Sequence, residues 1–117
     1  RLGREAGVAT DLNNIGMVYN SWGKYDKAIK NYEKALAIDK RLGREVDVAT
    51  YLNNIGLVYN SWGKYDKAIE DYNEAIRLNP DDPLFWHNRG VSHQALGNKA
   101  AAEADLEKAK ELGYSEE

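Results

Sequence analysis

Few side chains in this sequence are able to do chemistry, and their spacing works against most reactions. His87 and His93 lie six residues apart, which on a helix turns them about 120° from one another, so they do not converge on a metal. The serines (Ser21, Ser61, Ser92, Ser115) have no nucleophile-elbow context. Gly3, Gly7 and Gly16 lack the spacing and the trailing Lys-Ser/Thr of a phosphate loop. The paired carboxylates Asp81 and Asp82 precede Pro83 and are explained by helix capping. With no cysteine in 117 residues, disulfides, thiolate zinc sites and cysteine nucleophiles are excluded. The expectation is a protein that is not an enzyme and uses neither cofactor nor metal.

What remains is a set of amides. Asn14, Asn54 and Asn88 each stand two residues before a glycine, Gly16, Gly56 and Gly90. Asparagine is a poor helix former because its amide competes for backbone hydrogen bonds, so three in one structural position ask for a reason. A side-chain amide both donates and accepts, so a row of them can pair with the main chain of a bound peptide whatever its sequence. They can equally satisfy backbone or neighbouring-helix groups within the protein, and the sequence leaves both open. The stripe extends through Asn13, Asn53 and His87 beside the row, Met17, Leu57 and Val91 three residues beyond, and Asn20 and Asn60 near the helix end. Thr10 and Thr50 lie four before it, and the stripe is nearly uncharged.

The elements that position these residues follow from an internal repeat. Residues 1–40 and 41–80 align without a gap and differ at thirteen positions; a divergent third copy runs over 85–112. The glycine anchors are 40 and then 34 residues apart, because the first junction lacks Pro80 and carries the extra Lys40-Arg41-Leu42-Gly43. Val8, Leu12, Ile15, Val18 and Tyr19 recur at helical steps, as do Tyr25, Ala28, Ile29, Tyr32, Ala35, Leu36 and Ile38. Trp22-Gly23-Lys24 and Trp62-Gly63-Lys64 are the turns between. The apolar positions do not alternate as a strand requires. The expected fold is all-α: three antiparallel helix hairpins, six helices, with unit 1 at about 5–42, unit 2 at 45–79, unit 3 at 82–112 and a frayed tail over 113–117.

Mid-helix glycine costs about 1 kcal/mol against alanine, so Gly16, Gly56 and Gly90 imply a crossing helix. Ala28, Ala68 and Ala102 are its matching small residues. Tyr19, Tyr25, Tyr32, Tyr59, Tyr65 and Tyr72 read as packing residues, and Trp22 and Trp62 as packing on the next hairpin. The mixed charges of the second helices (Lys24, Asp26, Lys27, Lys30, Glu33, Lys34; Lys64, Asp66, Lys67, Glu70, Asp71, Glu74) read as a solvated face.

This pattern resembles the tetratricopeptide repeat. The second unit matches through Leu52, Ile55-Gly56, Tyr59, Gly63, Tyr65, Ala68, Tyr72, Ala75 and Pro80. The first matches through Leu12, Ile15-Gly16, Tyr19, Gly23, Tyr25, Ala28, Tyr32 and Ala35, without the proline. The third keeps Trp86, Gly90, Gly97, Ala102, Leu106 and Ala109, with Arg89 and His93 where Leu and Tyr are usual. The resemblance implies a right-handed superhelical solenoid whose first helices line a concave groove for a peptide, in a family of binding scaffolds without catalysis. Members that clamp chaperone C-terminal carboxylates use Lys and Arg on these helices, and no Lys or Arg stands at those places here.

The partner is therefore expected to be a protein or peptide. A net charge of −3 argues against nucleic acid and membrane surfaces, and no apolar run approaches a membrane span. A cytoplasmic location fits the absent cysteine. The runner-up reading is a structural, self-assembling array with no dedicated peptide ligand. The chain opens inside a junction sequence, Arg1-Leu2-Gly3-Arg4-Glu5, so it reads as a segment of a longer array or an engineered one. Raw ends and near-identical units invite head-to-tail stacking or hairpin exchange between copies.

Overall fold

Glycine ends the helices where the repeat places it. In the computed structural model, which describes residues 2–116 (Leu2 by its main chain only), α1 (Leu2–Ser21) and α2 (Tyr25–Arg41) form the first hairpin. The second pairs α3 (Glu45–Ser61) with α4 (Tyr65–Leu78), and the third α5 (Pro83–Ala95) with α6 (Lys99–Glu111). At the first turn Gly23 takes φ +72°, a left-handed conformation that a side chain resists. The Lys24 N–H then donates to the Tyr19 carbonyl at 2.9 Å, satisfying a helix-end acceptor. The start of α5 also follows expectation: Asp82 accepts from the Leu84 N–H at 2.9 Å, with Pro83 at the first helical position.

The helices form two layers, α1, α3 and α5 in one and α2, α4 and α6 in the other, with each hairpin stacked on the next through α2 against α3 and α4 against α5. Side-chain hydrogen bonds join neighbours within the first-helix layer, α1 to α3 and α3 to α5. Among the described residues none joins α2 to α4 or α4 to α6, so the first-helix layer is the tighter, inner side of the stack. The molecule extends 46 × 28 × 26 Å.

The mid-helix glycines do admit a crossing helix, but what fills the space is a ring rather than an alanine. A Cβ on Gly56 would stand 2.5 Å from Tyr72 Cε1, and one on Gly16 2.8 Å from Tyr32 Cε1. At Gly90 the neighbour is Leu106, 3.1 Å away. Ala28, Ala68 and Ala102 are buried elsewhere on the hairpin contact. Tyr32 and Tyr72 lie fully in the core, where burial pushes their hydroxyls up, that of Tyr32 to about 12.

Three further expectations are corrected. Trp62 packs backwards onto the preceding hairpin, its ring centroid 5.6 Å from that of Tyr25, because the indole closes the cluster of Ala28, Ile29, Tyr32, Ile55 and Val58. The pentapeptide Arg-Leu-Gly-Arg-Glu forms the turn after α2 at 41–45, with Gly43 at φ +74°, yet residues 2–5 belong to α1. Within the 113–117 tail expected to fray, Tyr114 makes a contact: it stacks on His87 with centroids 4.0 Å apart, its hydroxyl 3.2 Å from Nε2. Arg1 and Glu117 lie outside the described residues.

Candidate functional site

The amides fall into register across the inner layer, and they reach each other first. Asn54 Nδ2 donates to Asn13 Oδ1 at 2.8 Å, and Asn88 Nδ2 donates to Asn53 Oδ1 at 2.9 Å. Each ladder residue thus holds the residue beside the previous rung, and Asn13 and Asn53 act as acceptors for the next unit. Asn53 is buried, so it positions Asn88 rather than facing a ligand. Each amide has two N–H donors and one oxygen, so one donor of Asn54 and of Asn88 serves the solenoid while the rest of the group remains on the partly open face. Asn14, on α1, is exposed.

The helix-end amides behave differently from one another. Asn60 Oδ1 accepts from Ser92 Oγ at 3.0 Å, a second tie between α3 and α5. Its repeat copy, Asn20, meets the second unit where Val58 replaces that serine, and Asn20 Oδ1 is buried without a partner. Asn60 therefore serves the contact between units, while the Asn20 oxygen lies buried at the matching place without a bond. Of the predicted stripe, Asn14, Met17 and Leu57 stand exposed on the inner layer, with Asn54, Asn88 and His87 half-buried beside them. Thr10 and Thr50 donate to the carbonyls of Ala6 and Val46 at 3.1 and 3.2 Å, which engages their hydroxyl protons locally.

No Asp, Glu, Lys or Arg occupies this lane at positions 10, 14, 17, 50, 54, 57, 84, 88 or 91. Among the described residues no cluster of three or more His, Asp or Glu side chains is arranged to hold a metal, and no helix is long and apolar enough to cross a membrane. Repeated hairpins, glycine turns and an inner layer of linked first helices are the setting in which the comparisons with known proteins are decisive. A tetratricopeptide repeat profile matches residues 7–81, and a second of the same description matches 61–115. The chain belongs to the tetratricopeptide repeat (TPR) family.

Solved TPR structures share the architecture. The first TPR of Spaghetti (RPAP3), bound to the HSP90 peptide SRMEEVD, superimposes with a TM-score of 0.81 at 29% identity, over 92% of this chain and 81% of that one. BtubC from P. vanneervenii gives a TM-score of 0.84 at 29% identity, over 98% of this chain and 53% of its own. The Sgt2 TPR domain from Aspergillus fumigatus gives 0.80 at 25% identity, over 92% and 70%. Curated protein sequences yield no match.

The third TPR unit departs from the family pattern in a compensated way. Arg89 takes the place that Ile15 and Ile55 fill in the other units, and its guanidinium clamps buried Asp105 at 2.7 and 2.8 Å. A third bond reaches Asn73 at 2.9 Å, and the guanidinium lies over the Trp86 ring. His93, where the family has Tyr, lies 3.9 Å from the same carboxylate. Arg89 is thus a core residue, turned from the groove as its helical position required. The second-unit counterpart of Asp105 is Asp71, where the facing first-helix position is Ile55 and no cation is supplied. Burial, with Glu70 and Glu33 nearby, raises its carboxyl to about 6, so Asp71 is half-buried where a solvated residue was expected. Sequence reasoning also missed Asp39, fully buried, 3.8 Å from the Arg44 guanidinium, and one of the causes, after burial, that push the Tyr51 hydroxyl up. A basic residue in an apolar slot was the available signal for the Arg89 pair; Asp39 carried none.

Proposed function

We propose that this TPR domain is a protein-interaction scaffold that binds an extended, largely uncharged peptide along its inner layer. The observation that carries the reading is the composition of the lane. An exposed apolar row, Met17 and Leu57 continued by Val91, runs beside the amide groups of Asn14, Asn54 and Asn88, with no charge among them. Amides pair with a peptide main chain, the apolar row takes alternate side chains of an extended segment, and the missing cations leave a terminal carboxylate without a counter-ion. His87, Asn20 and Asn60 border the lane, while Asn13 and Asn53 act from behind it by holding the rungs.

The HSP90 peptide seen in the RPAP3 structure is acidic, SRMEEVD. This lane, lacking lysine and arginine, is expected to reject it. A peptide-array screen followed by calorimetry tests the proposal. Capped peptides rich in apolar and small residues should bind, and SRMEEVD should not. Leu57→Glu should weaken binding at least tenfold with little change in thermal stability, because Leu57 is exposed. Asn54→Ala should lower both affinity and stability, since its amide also serves the contact with Asn13. Tight binding of SRMEEVD, or indifference of peptide affinity to both substitutions, would refute the reading.

A further inference from the structure

The two junctions between hairpins pack differently. Between α2, α3 and the end of α4, the longer first junction encloses a cleft of about 280 Å³. Its floor is apolar: Leu36, Val48, Leu52 and Leu78. At the second junction the residue in the place of Leu52 is Trp86, since each stands four before its mid-helix glycine, Gly56 or Gly90. The Trp86 indole lies across the corresponding space, donating to the Pro80 carbonyl at 2.8 Å, with Lys108 Nζ 5.9 Å from its ring centroid. Pro80 and Lys108 are the repeat counterparts of Lys40 and Glu74, which line the cleft at Leu52. The first junction therefore has the walls of a tryptophan site with a leucine in place of the tryptophan.

The rim of the cleft is charged. Arg44 is held by Asp47 at 2.7 Å, and Arg77 is paired with Glu74. Lys40 and Glu45 also line the cleft, both exposed, and among the described residues neither side chain makes a hydrogen bond or an ion pair. One uncommitted cation and one uncommitted anion beside an apolar floor suit a zwitterion that carries a ring. We infer that this cleft binds a free aromatic amino acid, tryptophan first. Its ring rests on the apolar floor, its carboxylate turns to Lys40 and its ammonium to Glu45. Tryptophan leads because an indole is what the second junction accommodates at the same repeat position. The volume lies at the lower end of ligand pockets, about 300 Å³, which suits one amino acid. A tryptophan inside a peptide has neutral amides where the free amino acid has charges, so it forgoes both charge-assisted bonds. None of the lining residues belongs to the amide lane, so the two sites are separate.

Calorimetric titration of L-tryptophan into the full chain tests this, with the Gly43 and Leu52 amide resonances followed by NMR. Saturable binding that shifts both resonances is expected. Tryptamine, without the carboxylate, and indole-3-propionate, without the amine, should each bind at least threefold more weakly. N-acetyltryptophanamide, which stands for a tryptophan inside a peptide, should bind at least tenfold more weakly, and so should leucine. Lys40→Gln should erase the advantage of tryptophan over tryptamine, and Glu45→Gln its advantage over indole-3-propionate. Both positions are exposed, so neither change should lower the melting temperature. Leu52→Trp puts the chain's own indole into the cleft, as at position 86, and should abolish binding. If that variant does not fold, the two glutamine variants decide the matter alone. Leu57→Glu, in the amide lane, should leave tryptophan affinity unchanged, which separates this site from the peptide site. The inference is overturned if L-tryptophan shows no saturable binding or if N-acetyltryptophanamide binds equally well. It is equally overturned if a folded Leu52→Trp retains the affinity, or if both glutamine variants leave the ligand preferences intact.

Discussion

Helices α1 and α3 share most of their sequence and live in different surroundings. Ile55 is 5% exposed and Val58 is fully buried, while Ile15 and Val18 are close to half exposed. The difference lies in what stands beside them, since α2 covers this face of α3 and among the described residues nothing covers the matching face of α1. Burial, and with it most of the energetic weight of a side chain, is a property of the stack rather than of the repeat. The same lesson holds for polar groups, since Asn60 finds Ser92 and its copy Asn20 finds Val58.

The largest contrast should come from trimming one isoleucine at a time. Ile55→Ala is expected to cost about 3 kcal/mol in chemical denaturation, for lost burial and a cavity, and Ile15→Ala less than about 1 kcal/mol. Equal losses would mean that α1 is covered in solution. Next come the glycines. Gly56→Ala drives a methyl into the ring of Tyr72, which is fully buried and has nowhere to move. A net loss of about 2 kcal/mol should follow even after the gain in helix propensity. Gly90→Ala meets Leu106 at 3.1 Å and Asp105 Cβ at 3.2 Å, looser contacts than at Gly56, and should change stability by less than about 1 kcal/mol.

A smaller effect separates Asp71 from Asn31, its first-unit counterpart. The Asp71 carboxyl is raised to about 6 in the folded chain, so folding favours its protonated form. Stability should therefore rise as pH falls from 7 through 6, and level off near 4 where the unfolded chain also takes up the proton. Asp71→Asn should stabilise the protein at pH 7, on the order of 1 kcal/mol after allowance for partial solvent screening, and flatten that part of the pH profile. Melting curves at pH 5 and 7 decide it; a wild-type stability independent of pH across that window refutes the assignment. The smallest contrast is Asn60→Ala against Asn20→Ala. The first strands the Ser92 hydroxyl at a cost of about 1 kcal/mol. The second removes an oxygen that has no partner and should cost close to nothing.

Much of this architecture is legible in one chain because duplication and helical periodicity repeat the same instruction. Turn glycines, Asp82-Pro83 and the apolar steps of three and four are local signals, and their outcomes are local. The candidate site is less legible. The asparagine row is visible as a spacing, yet whether an amide faces a neighbouring helix or a ligand depends on a second unit placed a few ångströms away. Spacing puts Asn53 and Asn54 side by side, and only the stack makes one a buried acceptor and the other a half-open rung. The direction of Trp62, towards the previous hairpin, is likewise set by where the Tyr25 ring stands.

By itself, then, the sequence determined that the chain forms helices in hairpins, where each turns, and that no charge sits in the inner lane. Those properties follow from dihedral preferences and from side-chain type, which a residue carries wherever it is placed. Only the tertiary structure decided which copy of a repeated residue is core and which is surface. The clearest case is Arg-Leu-Gly-Arg-Glu, whose last four residues are helical at the start of α1 and whose middle three form a glycine turn after α2. Glycine permits both conformations at little steric cost, so the neighbouring helix, not the pentapeptide, selects between them.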